Sequence, residues 1–131
     1  MGEVQRLGSG VSNEEVVGYS RIVRMGDLVL LAGTTAIMAD GAIAGIGDPY
    51  AQMRQILANI ETALARVGGS LADVVRTRAY LTDVAHFEGF ARAHGEAFAD
   101  IRPANTTVVV AALPDPRMLV ELEVDAYLSS R

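Results

Sequence analysis

The 131-residue chain contains no cysteine, no tryptophan and no lysine. Without cysteine there is no disulfide, no zinc–thiolate centre and no thiol nucleophile. Without lysine there is no side-chain amine for a Schiff base, which removes lysine-linked pyridoxal chemistry. Aromatics make up only 5%, so valine, leucine, isoleucine and alanine must build the core. No uncharged apolar run approaches the roughly 20 residues of a membrane span, so no membrane partner is expected. The first residues, Met1-Gly2-Glu3-Val4-Gln5-Arg6, lack the basic-then-apolar pattern of an export signal, and a cytoplasmic location is the resulting expectation. Positive charge is in deficit. The net charge is −5 and the arginines are scattered. Phosphate backbones are bound by clustered cations, so no nucleic-acid partner is expected.

What is present is half hydrophobic and long enough for one core, with no repeat, linker or low-complexity stretch. A single domain over residues 1–131 follows. Residues 1–16 are weakly patterned and predict a loose arm or a short edge strand. Gly18 to Arg24 and Leu28 to Gly33 are apolar runs around Met25-Gly26-Asp27, a hairpin by composition. Asp40-Gly41 predicts a second tight turn. Asp48-Pro49 opens a helix, aspartate as N-cap and proline in the first turn. Met53, Ile56, Leu57, Ile60 and Leu64 form its apolar stripe, and Gly68-Gly69 ends it.

Asp73 to Leu81 alternates and predicts a strand. Period two puts Val75, Thr77, Ala79 and Leu81 on one face and Val74, Arg76, Arg78 and Tyr80 on the other. A second helix is predicted from Asp83 to about Ala99, with Phe87, Phe90, Ala91, His94 and Phe98 on one stripe and with Gly89 and Gly95 weakening it. Two strands follow, about Asn105–Ala112 and Leu119–Leu128, joined by a turn at Leu113-Pro114. The fold class is therefore α+β: a single-domain mixed β-sheet with two helices packed on one face. The sheet's other face is either solvated or buried against another subunit.

No residue pattern identifies a phosphate loop, a Gly-x-Ser-x-Gly elbow, a His-Glu-x-x-His zinc motif or an RNA-binding signature. Two histidines, His86 and His94, give little basis for a metal site, and no cofactor is expected. Glu121, Glu123 and Asp125 alternate on the last strand. Crowded carboxylates raise one another's pKa and can shuttle protons; the alternative is a solvated acidic face. Tyr19 reads equally as a ligand-facing aromatic and as a half-buried strand residue. His94 on an apolar stripe reads first as a packed, hydrogen-bonded histidine.

Gly18-Tyr19, Leu30-Leu31-Ala32-Gly33-Thr34, Gln52 through Asn59-Ile60, and Gly68-Gly69-Ser70 with Asp73-Val74-Val75 occur in order. Pro103-Ala104, Leu113-Pro114 and Val120-Glu121-Leu122-Glu123 complete the series. Together, from Gly18 onward, they resemble the RidA/YjgF family of imine and enamine deaminases, small proteins of the chorismate-mutase-like, or YjgF-like, fold. The resemblance implies a homotrimer whose sheets face inward, with three small-molecule clefts between subunits. It implies that Glu121 positions the attacking water, that Tyr19 lines the cleft and that the backbone of Gly33 faces the ligand. Elsewhere the chain departs from the family: Ala32 replaces a serine, Thr34 a glutamine, Ala91 an asparagine, His94 a tyrosine and Asn105 the arginine that grips a substrate carboxylate. Asparagine cannot form the bidentate, charge-assisted pair of a guanidinium. Thr34, Asn105 and Thr107 are then candidates for neutral ligand contacts, and Arg78 and Arg102 for substitute cations.

Two functional expectations remain open on the sequence. One is a hydrolase that deaminates an imine or enamine with Glu121-positioned water. The other is a non-catalytic homotrimer that binds a small metabolite in the same clefts.

Overall fold

The computed structural model describes residues 3–128; the first two and last three residues of the expected 1–131 domain lie outside the described residues. Six strands and three α-helices make a mixed α+β domain. Along the chain come β1 (Val4–Leu7), α1 (Ser12–Val17), β2 (Ile22–Met25), β3 (Leu28–Thr34), α2 (Pro49–Ala65), β4 (Val74–Leu81), α3 (Phe87–Phe98), β5 (Ala104–Val109) and β6 (Val120–Tyr127). The sheet order is β1-β2-β3-β6-β4-β5. Among the described residues no helix is long and apolar enough to cross a membrane.

The β2–β3 hairpin forms as its composition predicts, and Ile37 bridges Ile43 around the Asp40-Gly41 turn. The Asp48 carboxylate accepts from the Ala51 amide at 3.1 Å and caps α2. At the other end the amides of Gly68 and Gly69 donate to the carbonyls of Ala65 and Leu64, and Gly68 takes a left-handed φ of 84° that glycine adopts without strain. The α2 stripe Met53, Ile56, Leu57, Ile60 and Leu64 is buried against Val120, Leu122, Val124 and Ala126 of β6 and against Val29 and Leu31 of β3. Each fully buried aliphatic side chain contributes about 1.5–3 kcal/mol, which is why the central strands and α2 form one body. Gly89 does more than weaken α3. A Cβ there would lie 3.0 Å from Pro49 Cγ and from the Tyr50 amide, so glycine lets α3 approach the start of α2.

Three details go beyond the sequence expectation or differ from it. First, α1 occupies part of the stretch read as a loose arm, while Val4–Leu7 does form an edge strand. Second, β5 and β6 are joined by the proline turn but do not pair. β4 lies between them, antiparallel to β6 and parallel to β5. β4, α3 and β5 form a strand–helix–strand crossover, the connection that parallel neighbours require. Third, Val74 is buried and Val75 is exposed, the reverse of strict alternation, because the β4–β6 register shifts between Val74 and Arg76. An extra residue in one strand turns every preceding side chain to the opposite face.

Both helices of the core cover one face of the sheet. The uncovered face carries Glu121, Glu123, Asp125 and Tyr127 from β6, Arg78 and Tyr80 from β4, and Leu28 and Leu30 from β3, these two leucines being exposed.

Candidate functional site

The site is built around an irregularity in β3. Leu31 pairs with Val124 and Thr34 with Leu122, so three steps along β3 match two along β6. Ala32 and Gly33 form the resulting bulge. Bulges re-aim backbone and side chains, and here the bulge brings Gly33 against the Glu121 carboxylate. A Cβ on Gly33 would sit 2.8 Å from Glu121 Cδ and 3.3 Å from Cγ. A side chain at position 33 would displace the Glu121 carboxylate, while the Gly33 φ lies outside the left-handed region and sets no further demand for glycine.

Glu121 is half-buried, and among the described residues its carboxylate has neither a hydrogen bond nor an ion pair. Burial pushes its pKa above the ordinary glutamate value, the nearby Arg21 charge pulls it back, and Glu123 adds to the rise. The other two acids of the strand are engaged. Glu123 accepts from Arg78 Nη1 at 2.9 Å and from the Tyr80 hydroxyl at 2.7 Å. Asp125 lies 3.7 Å from both Arg76 and Arg78. Carboxylates that alternate in sequence therefore have different environments: two are tied into an ion-pair ladder and one is left available.

The residue that organises this corner is Arg21. Its Nη1 donates to the Gly33 carbonyl at 2.7 Å, and its Nη2 donates to the Tyr19 hydroxyl at 3.2 Å. Its Nε donates to the Glu14 carboxylate at 3.4 Å. Glu14, in the first turn of α1, also accepts from the Ser9 and Gly10 amides and from the Ser9 hydroxyl. Burial would raise the Glu14 pKa, but these hydrogen bonds and the Arg21 charge outweigh it and hold the carboxyl below its usual value. Thr34 is buried and donates its hydroxyl to the Ala32 carbonyl at 2.9 Å, bracing the bulge from the helix side.

Sequence reading passed over Arg21 and Glu14. The available signal was an arginine two positions after Tyr19, inside an otherwise apolar run.

Asn105 and Thr107 occupy a different place. Asn105 pairs with Thr77, which pairs with the buried Val124. Both candidates therefore project from the helix-bearing face, whereas Glu121 projects from the uncovered one. Thr107 Oγ1 donates to the side-chain oxygen Oδ1 of Asn105 at 2.9 Å, and Asn105 Nδ2 donates to Thr77 Oγ1 at 3.0 Å. Thr77 Oγ1 in turn lies 2.9 Å from His94 Nε2. Burial depresses the His94 pKa, so the ring favours the neutral form. His94 is also flanked by Phe90 and Phe98, with ring centroids at 5.3 and 4.6 Å, the packed role expected for it.

The two substitute cations part ways. Arg78 is committed to Glu123 and Asp125. Arg102 does not have the extended backbone expected before a proline. Its φ is 56°, and its amide donates to the Phe98 carbonyl as the chain turns out of α3. It lines a shallow concavity of about 350 Å³ with His94, Phe98 and Pro103. A second concavity, about 400 Å³, lies on the uncovered face between Ser20, Leu30, Ala32, Arg78 and Glu123. Among the described residues no group of three or more histidine or acidic side chains is placed to hold a metal ion.

Gly33→Ala is expected to leave the fold intact and to drive the Glu121 carboxylate out of its half-buried position. Carbon-13 titration of that carboxyl should move toward the ordinary glutamate value. An unchanged titration would show that the missing side chain at position 33 does not place the carboxylate.

A model of the family described as Endoribonuclease L-PSP matches residues 11–128. The chain is similar to a protein of Streptomyces coelicolor, 40% identical over 95% of this chain and 92% of that protein. It is also similar to a RutC family protein of Pyrococcus abyssi, 32% identical over 83% of this chain and 85% of that one. Among solved structures, a member of the YjgF/YER057c/UK114 family from Mycobacterium tuberculosis superposes with a TM-score of 0.87 at 46% identity, over 95% of this chain and 99% of that one.

Proposed function

This chain belongs to the Endoribonuclease L-PSP family, the YjgF/RidA/RutC group, and on that premise we propose that it is a cytoplasmic hydrolase that deaminates small imines or enamines in clefts between the subunits of a homotrimer. The observation that carries this reading is the Glu121 carboxylate, half-buried, without a bonded partner among the described residues, and lying against Gly33. A carboxylate held so can accept a proton from water as the water adds to the carbon of a C=N bond. The nitrogen takes up a proton in the same addition, giving a carbinolamine. Collapse then expels ammonia and leaves a carbonyl. Water is consumed and ammonia released, with no change of oxidation state, and Glu121 only receives and returns a proton. An enamine enters the same sequence after tautomerising to its imine. Tyr19 and the Gly33 backbone supply polar contacts beside the reacting bond.

The division of the candidate residues between two sheet faces supports the intersubunit cleft. Asn105 and Thr107 of one protomer cannot share a ligand with Glu121 of the same protomer, but they can with that of a neighbour. The uncovered face has the apolar area for such an assembly, since Val4, Leu28, Leu30, Val108 and Tyr127 are exposed. Nucleic acid is a poor candidate substrate. Arg21, Arg24, Arg76, Arg78 and Arg117 are each paired with a carboxylate, and the net charge is negative. The neutral Asn105–Thr77–His94 network in place of a guanidinium favours neutral or differently anchored imines over 2-imino acids.

Two measurements test the proposal. Light scattering at micromolar concentration should give three times the 13.9 kDa chain mass; a monomer mass would remove the shared cleft. Ammonia release should be detectable from a panel of neutral imines and enamines. A trimer with no turnover on any of them would leave the reading of a metabolite-binding trimer without catalysis, which the neutral network also suits.

A further inference from the structure

We infer that Arg21 is the positioning residue of the Glu121 site, fixing the Gly33 carbonyl in the β3 bulge and the Tyr19 hydroxyl with a single guanidinium. The inference rests on the reading of Glu121 and Gly33 as the reactive pair, and it adds a residue that neither the strand pattern nor the family resemblance marked. Its basis is geometric. A guanidinium presents donors in a rigid plane and accepts nothing. Here its shortest contacts are the Gly33 carbonyl at 2.7 Å, the Tyr19 oxygen at 3.2 Å and the Glu14 carboxylate at 3.4 Å, with the Ala32 carbonyl and the Thr34 hydroxyl each at 3.5 Å. Glu14 is itself held by Ser9 and Gly10, so the fork is anchored from behind. The guanidinium carbon also lies 5.6 Å from the Tyr19 ring centroid, which adds a cation–π contact to the clamp.

Two chemical consequences follow. Because Arg21 can only donate, the Tyr19 oxygen is the acceptor of that bond. The tyrosine's own proton has no partner among the described residues. Tyr19 is thereby set as a donor, and a ligand beside it must present an acceptor such as a carbonyl or an imine nitrogen. The second consequence concerns charge. The groups that face Glu121 are Arg21, Glu123 on its own strand and Tyr80 across the β4–β6 pair. Glu123 and burial oppose ionisation of Glu121, Tyr80 donates its proton to Glu123, and Arg21 alone favours the ionised form. Arg21 thus keeps the water-binding form of Glu121 populated while holding the backbone that Glu121 leans on.

The test uses the full-length protein in wild-type form and as Arg21→Gln and Arg21→Lys. The Glu121 carboxyl is followed by carbon-13 NMR and assigned with Glu121→Gln; kcat and KM are measured on the best neutral imine. With Arg21→Gln the Glu121 titration midpoint should rise. With Arg21→Lys, which keeps charge and loses the fork, the midpoint should stay near wild type while kcat falls roughly tenfold, the scale of one lost charge-assisted bond. A folded Arg21→Gln protein with an unmoved midpoint overturns the inference, as does Arg21→Lys with full kcat. If Arg21→Gln does not fold, the lysine variant decides alone. If the wild type turns over no imine, the hydrolase reading fails while the titration still decides the role of Arg21.

Discussion

Glu121→Gln is expected to lower kcat/KM for any imine or enamine substrate by on the order of 100- to 10,000-fold, the range associated with a positioned acid–base group. Glutamine keeps the shape of the side chain and can still touch water, but it cannot take the proton. Glu123→Ala is expected to retain most of the activity, because that carboxylate is bonded to Arg78 and Tyr80 rather than presented to a ligand. It should instead release Tyr80, whose proton the bond to Glu123 holds in place. The pH profile gives an independent check. Burial raises the Glu121 pKa, so its ionised, proton-accepting form is lost as pH falls through a value above the ordinary glutamate range. Activity should therefore decline on the acid side earlier than for an exposed glutamate. Glu123→Ala removes a neighbouring negative charge and should shift that acid limb downward. Equal losses of activity from Glu121→Gln and Glu123→Ala would point to a general disturbance of β6 and remove the special role of Glu121.

How far the residues alone disclosed this arrangement depends on the range of the interactions. The ends of α2 were legible, since Asp48, Pro49, Gly68 and Gly69 act on backbone within a turn or two of themselves. The apolar stripe of α2 was legible for the same reason. On β4 the faces of Arg76 to Leu81 were legible, but those of Val74 and Val75 were not, because one extra residue between Val74 and Arg76 reverses the parity there and nothing in the spacing announces it. Strand order was only partly legible. A strand–helix–strand series implies that β4 and β5 lie parallel, but the insertion of β6 between β3 and β4 depends on burial of its alternate residues from Val120 to Ala126. The site was split in the same way. Glu121 and Gly33 could be named from the family resemblance, and the structure places them against each other. Arg21 could not, because its meaning comes from Gly33, 12 residues away, and from Glu14, on a helix the pattern did not announce.

Asn105→Arg is expected to raise kcat/KM for a 2-imino acid by roughly ten- to a hundredfold, the scale of a charge-assisted bond worth about 1.5–3 kcal/mol. The wild type should handle such a substrate poorly, because the neutral Asn105 amide is spent on Thr77 and offers no charge to a carboxylate. β5 is an edge strand and Asn105 is exposed, so a longer side chain has room to extend from the sheet edge, where the proposed assembly would place a second subunit. The substitution also removes two bonds, to Thr77 and from Thr107, at about 0.5–1.5 kcal/mol each. That cost falls on stability, while the gain falls on binding, so the melting temperature should drop slightly as the activity on 2-imino acids rises. Thr77 then retains its contact with His94, and the freed Thr107 hydroxyl, only half-buried, can bind water. The mass of the proposed trimer must be checked alongside, since an arginine buried without a partner would be strongly unfavourable. If the wild type already hydrolyses 2-imino acids efficiently and the arginine variant is worse, another group grips the carboxylate. Arg102 would be the first to replace, because Arg78 is held by two carboxylates and Arg21 by the bulge, whereas Arg102 stands at the rim of the concavity beside His94.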